Sequence, residues 1–286
     1  MIAQNKSMKK NIERIKINYI ALLLMFISSI LTGNNTEPLR VLFIGNSYTG
    51  FHNLPEIVAQ IANSKNRRLY YETVAPGGRN FESHWKEGNA LTKIYKNKWD
   101  MVVFQNLSFE PLIDPDNMNE FGTRFAKAVN ETDAKIFYYL TWTYESELER
   151  LKDKAWFSEK YGQMQKHINN AYFNLAVEVG AEVCPIGIAW EIVRNENPQV
   201  KLYDEDGSHP SKLGAYLSGL VMFSVLFKEE LTDAPQVLYP YLDPESREKW
   251  GKEISVSTEE RILFESVTKR AIKISNEILK NSIQVN

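Results

Sequence analysis

The sequence predicts an α/β fold: a three-layer α/β/α sandwich around a mainly parallel, five-stranded sheet. Two observations carry this. Short apolar runs alternate along the chain with longer amphipathic stretches, the order that gives parallel strands joined by crossover helices. Roughly 250 residues remain once a leader is set aside, enough to bury a whole sheet and its helix layers in one domain.

The elements follow in order. The strands are Arg40–Ile44, Arg68–Val74, Met101–Phe104, Lys135–Leu140 and Glu182–Ile186, each a compact apolar run. Between them the helical stretches are Leu54–Ser64, Glu82–Tyr95, Asn117–Val129 and Lys154–Val179. In the last, Tyr161, Met164, Ile168, Tyr172, Leu175 and Val179 recur at three- and four-residue steps and mark one buried face. Pro210 suits the first turn of a further helix, whose apolar side is Leu213, Tyr216, Leu217, Leu220 and Val221. Residues 228–257 are rich in Pro, Asp and Glu and read as a surface excursion. A final helix, Glu259–Leu279, carries Leu263, Val267, Ile274 and Ile278 on one side. No internal repeat or low-complexity tract interrupts the pattern.

The first residues stand apart. Lys6, Lys9, Lys10, Arg14 and Lys16 precede an apolar run from Tyr19 to Leu31 that ends in Thr32-Gly33-Asn34-Asn35. A basic region, a short apolar core and a small-residue exit read as a secretory signal over residues 1–33, leaving 34–286 as a single domain. The run is shorter than the roughly 20 residues of a spanning helix, and an uncleaved N-terminal anchor is the alternative. The expected location is periplasmic or secreted, with membrane contact only through that segment if it is retained. The formal net charge is −2 with the basic leader included, so the mature chain is more acidic still and has no footprint for nucleic acid. Cys184 is the single cysteine; it excludes an intrachain disulfide and, within a strand, reads as a small inert hydrophobe.

Chemistry gathers at the strand ends. Val41-Leu42-Phe43-Ile44 runs directly into Gly45-Asn46-Ser47-Tyr48-Thr49-Gly50, a serine on a tight glycine turn leaving a buried strand. A hydroxyl there is exposed at the carboxyl edge of the sheet, where α/β proteins bind ligands. Gly77-Gly78 and Gln105-Asn106 follow the next two strands and converge on the same rim. Serine becomes nucleophilic only when a base takes its proton, and imidazole suits that task near neutral pH. Of the four histidines, His167 falls mid-helix, His52 starts a helix, and His84 follows the glycine pair, where it could line a pocket. His209 alone has a carboxylate three residues earlier, in Asp206-Gly207-Ser208-His209, a segment that also reads as a capped turn.

Other chemistries lack their residues. Gly45 to Gly50 has the outer spacing of a phosphate loop, but Phe51 and His52 replace its Lys-Ser/Thr. No G-x-G-x-x-G follows the first strand, and no His-carboxylate cluster has zincin spacing. Neither a cofactor nor a metal is expected. Trp85, Trp142, Tyr144 and Trp190 could stack on a sugar, although buried packing is the commoner fate of such rings.

Taken together, Gly45-Asn46-Ser47, Gly77-Gly78, Gln105-Asn106 and Asp206-x-x-His209 resemble, in order, the blocks of the SGNH (GDSL-type) hydrolases. Asn53-Leu54-Pro55, His84-Trp85, Thr141-Trp142 and Tyr203 to Ser211 look like a secreted bacterial branch of that superfamily, and the resemblance spans residues 39–227. It implies a flavodoxin-like fold and a serine esterase with Ser47 as nucleophile, His209 as base and Asp206 as its orienting carboxylate. It also implies an oxyanion hole from the amides of Ser47 and Gly78 and a side-chain amide after the third strand. The superfamily places an asparagine there in Gly-x-Asn-Asp, where this chain reads Phe104-Gln105-Asn106-Leu107-Ser108. Asn106 is preferred and Gln105 is the alternative. The expected substrate is a small-molecule or carbohydrate ester, such as an O-acylated sugar. A non-catalytic carbohydrate-binding or surface protein with the same fold is the competing reading.

The leader yields the first test. N-terminal sequencing of exported protein should find a chain beginning near residue 34; an intact leader held in the inner membrane would make the protein an anchored one.

Overall fold

A computed structural model describes residues 37–145, 163–241 and 253–284, with Glu245 and Glu248. The leader, the helical reading of residues 154–162 and much of 242–252 lie outside the described residues. Five strands form one sheet: β1 (Leu39–Ile44), β2 (Leu69–Val74), β3 (Met101–Phe104), β4 (Lys135–Tyr139) and β5 (Glu182–Cys184). Their order is β2-β1-β3-β4-β5, and every neighbouring pair is parallel. The crossover direction reverses at β1, so a crevice opens beyond the carboxyl ends of β1 and β3. Val41, Leu42, Phe43 and Ile44 of β1 are buried on both faces, each side chain contributing roughly 1.5–3 kcal/mol of burial. Strand β2, at the edge, has no fully buried residue: Tyr70 and Thr73 are exposed and the other four are half-buried.

The helices are α1 (Ser47–Gly50), α2 (Leu54–Ser64), α3 (Phe81–Glu87), α4 (Asn89–Lys96), α5 (Glu110–Ile113) and α6 (Pro115–Asn130). They continue as α7 (Met164–Val179), α8 (Ile186–Glu196), α9 (Lys212–Phe227) and α10 (Thr258–Gln284). Helices α2, α8, α9 and α10 pack as one group and α3, α4, α6 and α7 as another, the two outer layers of an α/β/α sandwich.

Several boundaries differ from expectation for identifiable reasons. The helix expected over Glu82–Tyr95 breaks into α3 and α4 at Gly88, whose φ of 75° ends the first turn series. The last strand stops at Cys184 because Pro185 ends its ladder, and α8 follows where no helix was expected. Pro210 is not in a helical first turn: it bridges to Tyr203, and Ser211 caps α9 by accepting from the Gly214 amide at 3.2 Å. The excursion at 228–257 is less peripheral than its composition suggests. Leu231, Ala234, Leu238, Ile254 and Val256 are buried, the last three around a two-stranded antiparallel ladder of β6 (Val237–Leu238) and β7 (Ile254–Ser255). On α10 the buried stripe is Phe264, Val267, Thr268, Ala271 and Ser275, while Ile274 is 38% exposed. Cys184 is buried, and desolvation pushes its thiol up, away from the thiolate needed for reactivity.

Candidate active site

Ser47 opens α1 immediately beyond β1. The turn that presents it is packed too closely for any side chain at Gly45, where a Cβ would lie 2.3 Å from Thr49 Oγ1 and 2.7 Å from Gln105 Oε1. Asn46 caps the helix, its Oδ1 accepting from the Tyr48 amide at 3.1 Å. The Asn46 side-chain nitrogen donates to Arg79 O at 2.9 Å, which ties the turn to the Gly77-Gly78 loop. Gly78 itself lies in the exposed part of that loop with φ of 70°, a conformation that favours glycine.

The second half of the site is a self-contained turn. Asp206 Oδ1 accepts from the amides of Ser208 at 2.9 Å and His209 at 2.8 Å, folding the loop back on itself. Its other oxygen, Oδ2, faces His209 Nδ1 at 2.5 Å. His209 Nε2 then lies 2.8 Å from Ser47 Oγ. One carboxylate therefore both shapes the loop and orients the ring. Burial pushes the Asp206 carboxyl up, but hydrogen bonds from the His209 ring and the two amides, with the nearby His209 charge, hold it below its ordinary value.

Aromatic rings join the two halves. Tyr48, next to Ser47, stacks on Trp142 with centroids 4.7 Å apart, and Trp142 stacks on Trp190 at 3.8 Å. The Tyr48 hydroxyl meets Ser208 Oγ at 2.7 Å, and Trp142 Nε1 donates to Ser208 O at 3.0 Å. Phe51 lies nearly flat on the His209 imidazole, with centroids 4.5 Å apart and planes 21° from parallel. The two residues after Phe51 both take left-handed backbone conformations, His52 with φ of 52° and Asn53 with φ of 49°. Such a pair is costly for non-glycine residues. Asn53 Nδ2 donates to Pro240 O at 2.8 Å and His52 Nδ1 meets the Tyr241 hydroxyl at 3.0 Å, so the segment from β6 onward holds the bend. None of Tyr48, Phe51 or Ser208 stood out in the sequence; only Asn46 carried a legible signal, as a helix cap before a short polar run.

The strand-end amides divide their work. Gln105 is fully buried and committed: Oε1 accepts from the Asn46 amide at 2.9 Å and from Thr49 Oγ1 at 3.0 Å, and Nε2 donates to Asn106 O. It braces the turn that presents Ser47. Asn106 Oδ1 accepts from the Phe81 amide at 2.9 Å, while its side-chain nitrogen is buried with no hydrogen-bond partner. Burial raises the nearby Glu110 carboxyl above its ordinary value, against hydrogen bonds from Asn117 and Asn80 that draw it down.

His84 does not line a pocket. It is buried beneath the turn, with Nε2 2.7 Å from Gly45 O. Desolvation lowers its pKa, which keeps the ring neutral and leaves Nε2–H to donate to that carbonyl. His167 is partly exposed on α7. Trp142, Trp190 and Tyr144 are buried and Trp85 packs edge-on against Phe125, so these rings serve packing rather than a sugar platform. Among the described residues no group of three His, Cys, Asp or Glu side chains is placed to hold a metal, and no helix is long and apolar enough to cross a membrane.

Solved structures share this arrangement of strands and helices. A DUF4886 family protein from Bacteroides uniformis matches with a TM-score of 0.64 at 17% identity, over 82% of this chain and 95% of that one. A protein assigned as an SGNH hydrolase from Slackia heliotrinireducens matches with a TM-score of 0.57 at 22% identity, over 66% of this chain and 98% of that one. The fold is that of the SGNH hydrolases. An acetyl xylan esterase also shares the SGNH fold, with a TM-score of 0.50 at 16% identity over 65% of this chain and 98% of its own. No protein-family model and no curated protein matches the sequence.

Within this SGNH fold, the clamp beside the site makes stability depend on pH. Desolvation pulls His52 from 6.5 down to about 4. Between those values the unfolded chain binds the proton and the folded chain does not, so acidification favours unfolding. Urea unfolding should give lower stability at pH 5 than at pH 7, and His52→Gln should reduce that slope, leaving the part that comes from buried His84. An unchanged slope would remove His52 as its source.

Proposed function

We propose that the protein is a serine esterase in which Ser47, His209 and Asp206 form a catalytic triad. The observation that carries this reading is the unbroken relay from Ser47 Oγ to His209 Nε2 at 2.8 Å and from His209 Nδ1 to Asp206 at 2.5 Å, on the rim where the SGNH fold opens its crevice. His209 accepts the serine proton as Oγ attacks the acyl carbon, then delivers it to the leaving alcohol. Water repeats the sequence on the acyl-enzyme. Asp206 holds the imidazole in one tautomer and stabilises the imidazolium.

The developing oxyanion is assigned to the amides of Ser47 and Gly78, with the Asn106 side chain as third donor. As the first residue of α1, Ser47 has no carbonyl one turn back for its amide to bond. Gln105 is the weaker choice because its amide group is already used in bracing the turn. The substrate class is an ester of a small molecule or of a carbohydrate. The acetyl xylan esterase among the structural neighbours favours an O-acyl sugar, whereas the buried tryptophans lend it no support. Export through the basic-apolar leader is part of the same proposal.

Reaction with a fluorophosphonate probe should label the protein and be abolished in Ser47→Ala; no labelling of folded protein would favour a binding role instead. Ser47→Ala and His209→Ala should each lower kcat by about a thousandfold or more, and the double variant little further, because triad members act as a unit.

Asn106→Ala should lower kcat by about 10²–10³, or roughly 2.7–4 kcal/mol, with KM much less affected. Gln105→Ala should instead lower the unfolding midpoint as well as activity, since it strips two acceptor contacts from the nucleophile turn. A large kcat loss in a fully stable Gln105 variant would exchange the two roles.

A further inference from the structure

The loop that carries Gly78 has little packing of its own. A Cβ at Gly77 or Gly78 would meet no atom within 4 Å beyond the adjacent residues. On its entry side the loop leaves β2 at Val74, whose carbonyl accepts from the Gly45 amide at 3.0 Å. On its exit side three consecutive residues are each bonded to a different partner. Arg79 O accepts from the Asn46 side chain at 2.9 Å, and the Phe81 amide donates to Asn106 Oδ1 at 2.9 Å. Between them, Asn80 Nδ2 donates to Glu110 Oε1 at 2.8 Å.

Asn80 is bonded through both ends of its side chain. Its Oδ1 caps α3, accepting from the Ser83 amide at 2.9 Å and from Ser83 Oγ at 2.6 Å. The cap sets Asn80 against its own helix; only the bond to Glu110 ties that side chain to another part of the molecule. Glu110 opens α5, four residues beyond Asn106, with its amide donating to Leu107 O at 3.1 Å. The same Oε1 also accepts from Asn117 Nδ2 of α6 at 2.8 Å. Glu110 is 4% exposed, and among the described residues no cation acts on its carboxyl. Burying a carboxyl in this way is costly, whereas an apolar residue would fill the same space without that cost.

We infer that Glu110 is a positioning residue: through Asn80 it fixes where the Gly78 amide lies relative to Ser47. The inference rests on the esterase reading above, in which that amide receives the developing oxyanion. Glu110 acts by geometry alone, since a misplacement of about 1 Å in a reacting arrangement can cost about a hundredfold in rate. Asn117 shares the carboxyl oxygen but belongs to α6, and among the described residues its hydrogen bonds go to Asp114 and Glu110 rather than to the loop. Its loss would weaken the same buried cluster without moving Gly78, which separates positioning from a purely structural role.

The test compares full-length wild type with Glu110→Ala, Glu110→Gln, Asn80→Ser and Asn117→Ala on p-nitrophenyl acetate, under conditions where urea titration finds each fully folded. Serine keeps a helix-capping oxygen at position 80 but has no nitrogen to offer Glu110. Glu110→Ala and Asn80→Ser should each lower kcat by about 10–10² with KM changed by less than about twofold, and the double variant little further, because both cut one link. Glu110→Gln keeps an oxygen for Asn80, with its nitrogen where Oε2 makes no bond, and should recover most of kcat. Asn117→Ala should lower the unfolding midpoint and leave kcat near that of wild type. In protein labelled with ¹⁵N-glycine, the Gly78 amide signal should shift in Glu110→Ala and Asn80→Ser and stay in place in Asn117→Ala. That signal reports the loop whether or not esters are cleaved. An inactive wild type would defeat the esterase reading, while the Gly78 signal would still decide the positioning. Should Glu110→Ala fail to fold, Asn80→Ser carries the test. The inference is overturned if the Gly78 signal stays in place when the Asn80–Glu110 link is cut, or if Asn117→Ala lowers kcat as far as Asn80→Ser.

Discussion

Tyr48 holds this molecule's site together. Its backbone belongs to the turn that presents Ser47, and its ring lies flat on Trp142. Its hydroxyl reaches Ser208, 160 residues away along the chain and directly before His209. Trp142 closes the triangle by donating to the Ser208 carbonyl. These contacts lie in a dry interior, where polar bonds are strong and their geometry is enforced by packing on every side. A hydrogen bond of 2.8 Å between Ser47 and His209 could not by itself fix two loops so remote in sequence. The ring stack beneath it does, and it continues through Trp190 into the helix layer.

Above the same imidazole, Phe51 supplies the opposing face. Its position depends on two consecutive left-handed residues, a histidine and an asparagine, types that tolerate this conformation better than most but pay for it when paired. The compensation is tertiary: Asn53 and His52 are fastened to Pro240 and Tyr241, beyond the strand β6. A segment that reads as a peripheral loop is thus tied to the wall of the site. Strain of this kind is tolerated where surrounding contacts over-determine the backbone. Beneath the turn, Gln105 and His84 act in the same way on Asn46, Thr49 and Gly45, so that the turn carrying Ser47 is supported from the strand end and from α3.

At the carboxyl edge most polar atoms around Ser47 are engaged. Among the described residues the exceptions there are Asn106 Nδ2, Glu110 Oε2 and the hydroxyls of Thr141 and Thr143, all buried without a hydrogen-bond partner.

The sequence by itself determined the sheet and its order of elements. Strand β3 and helix α2 have the bounds read from it, because a buried parallel strand is a continuous apolar run and an amphipathic helix repeats at 3.6 residues. It also singled out Ser47, Asp206 and His209, since a glycine turn after a buried strand and a carboxylate three residues before a histidine are local patterns. Local pattern could not distribute the roles of Gln105 and Asn106, which are adjacent, both buried and chemically alike. Only packing decided that one amide is bonded on both sides and the other keeps a nitrogen unpaired. The same holds for Phe51, whose stacking partner is distant in sequence, and for α10, where the buried stripe runs through Phe264, Ala271 and Ser275 while Ile274 faces outward. Hydrophobicity names the residues able to be buried; which of them are buried is settled by the surface that arrives against them, and that surface exists only in the folded chain.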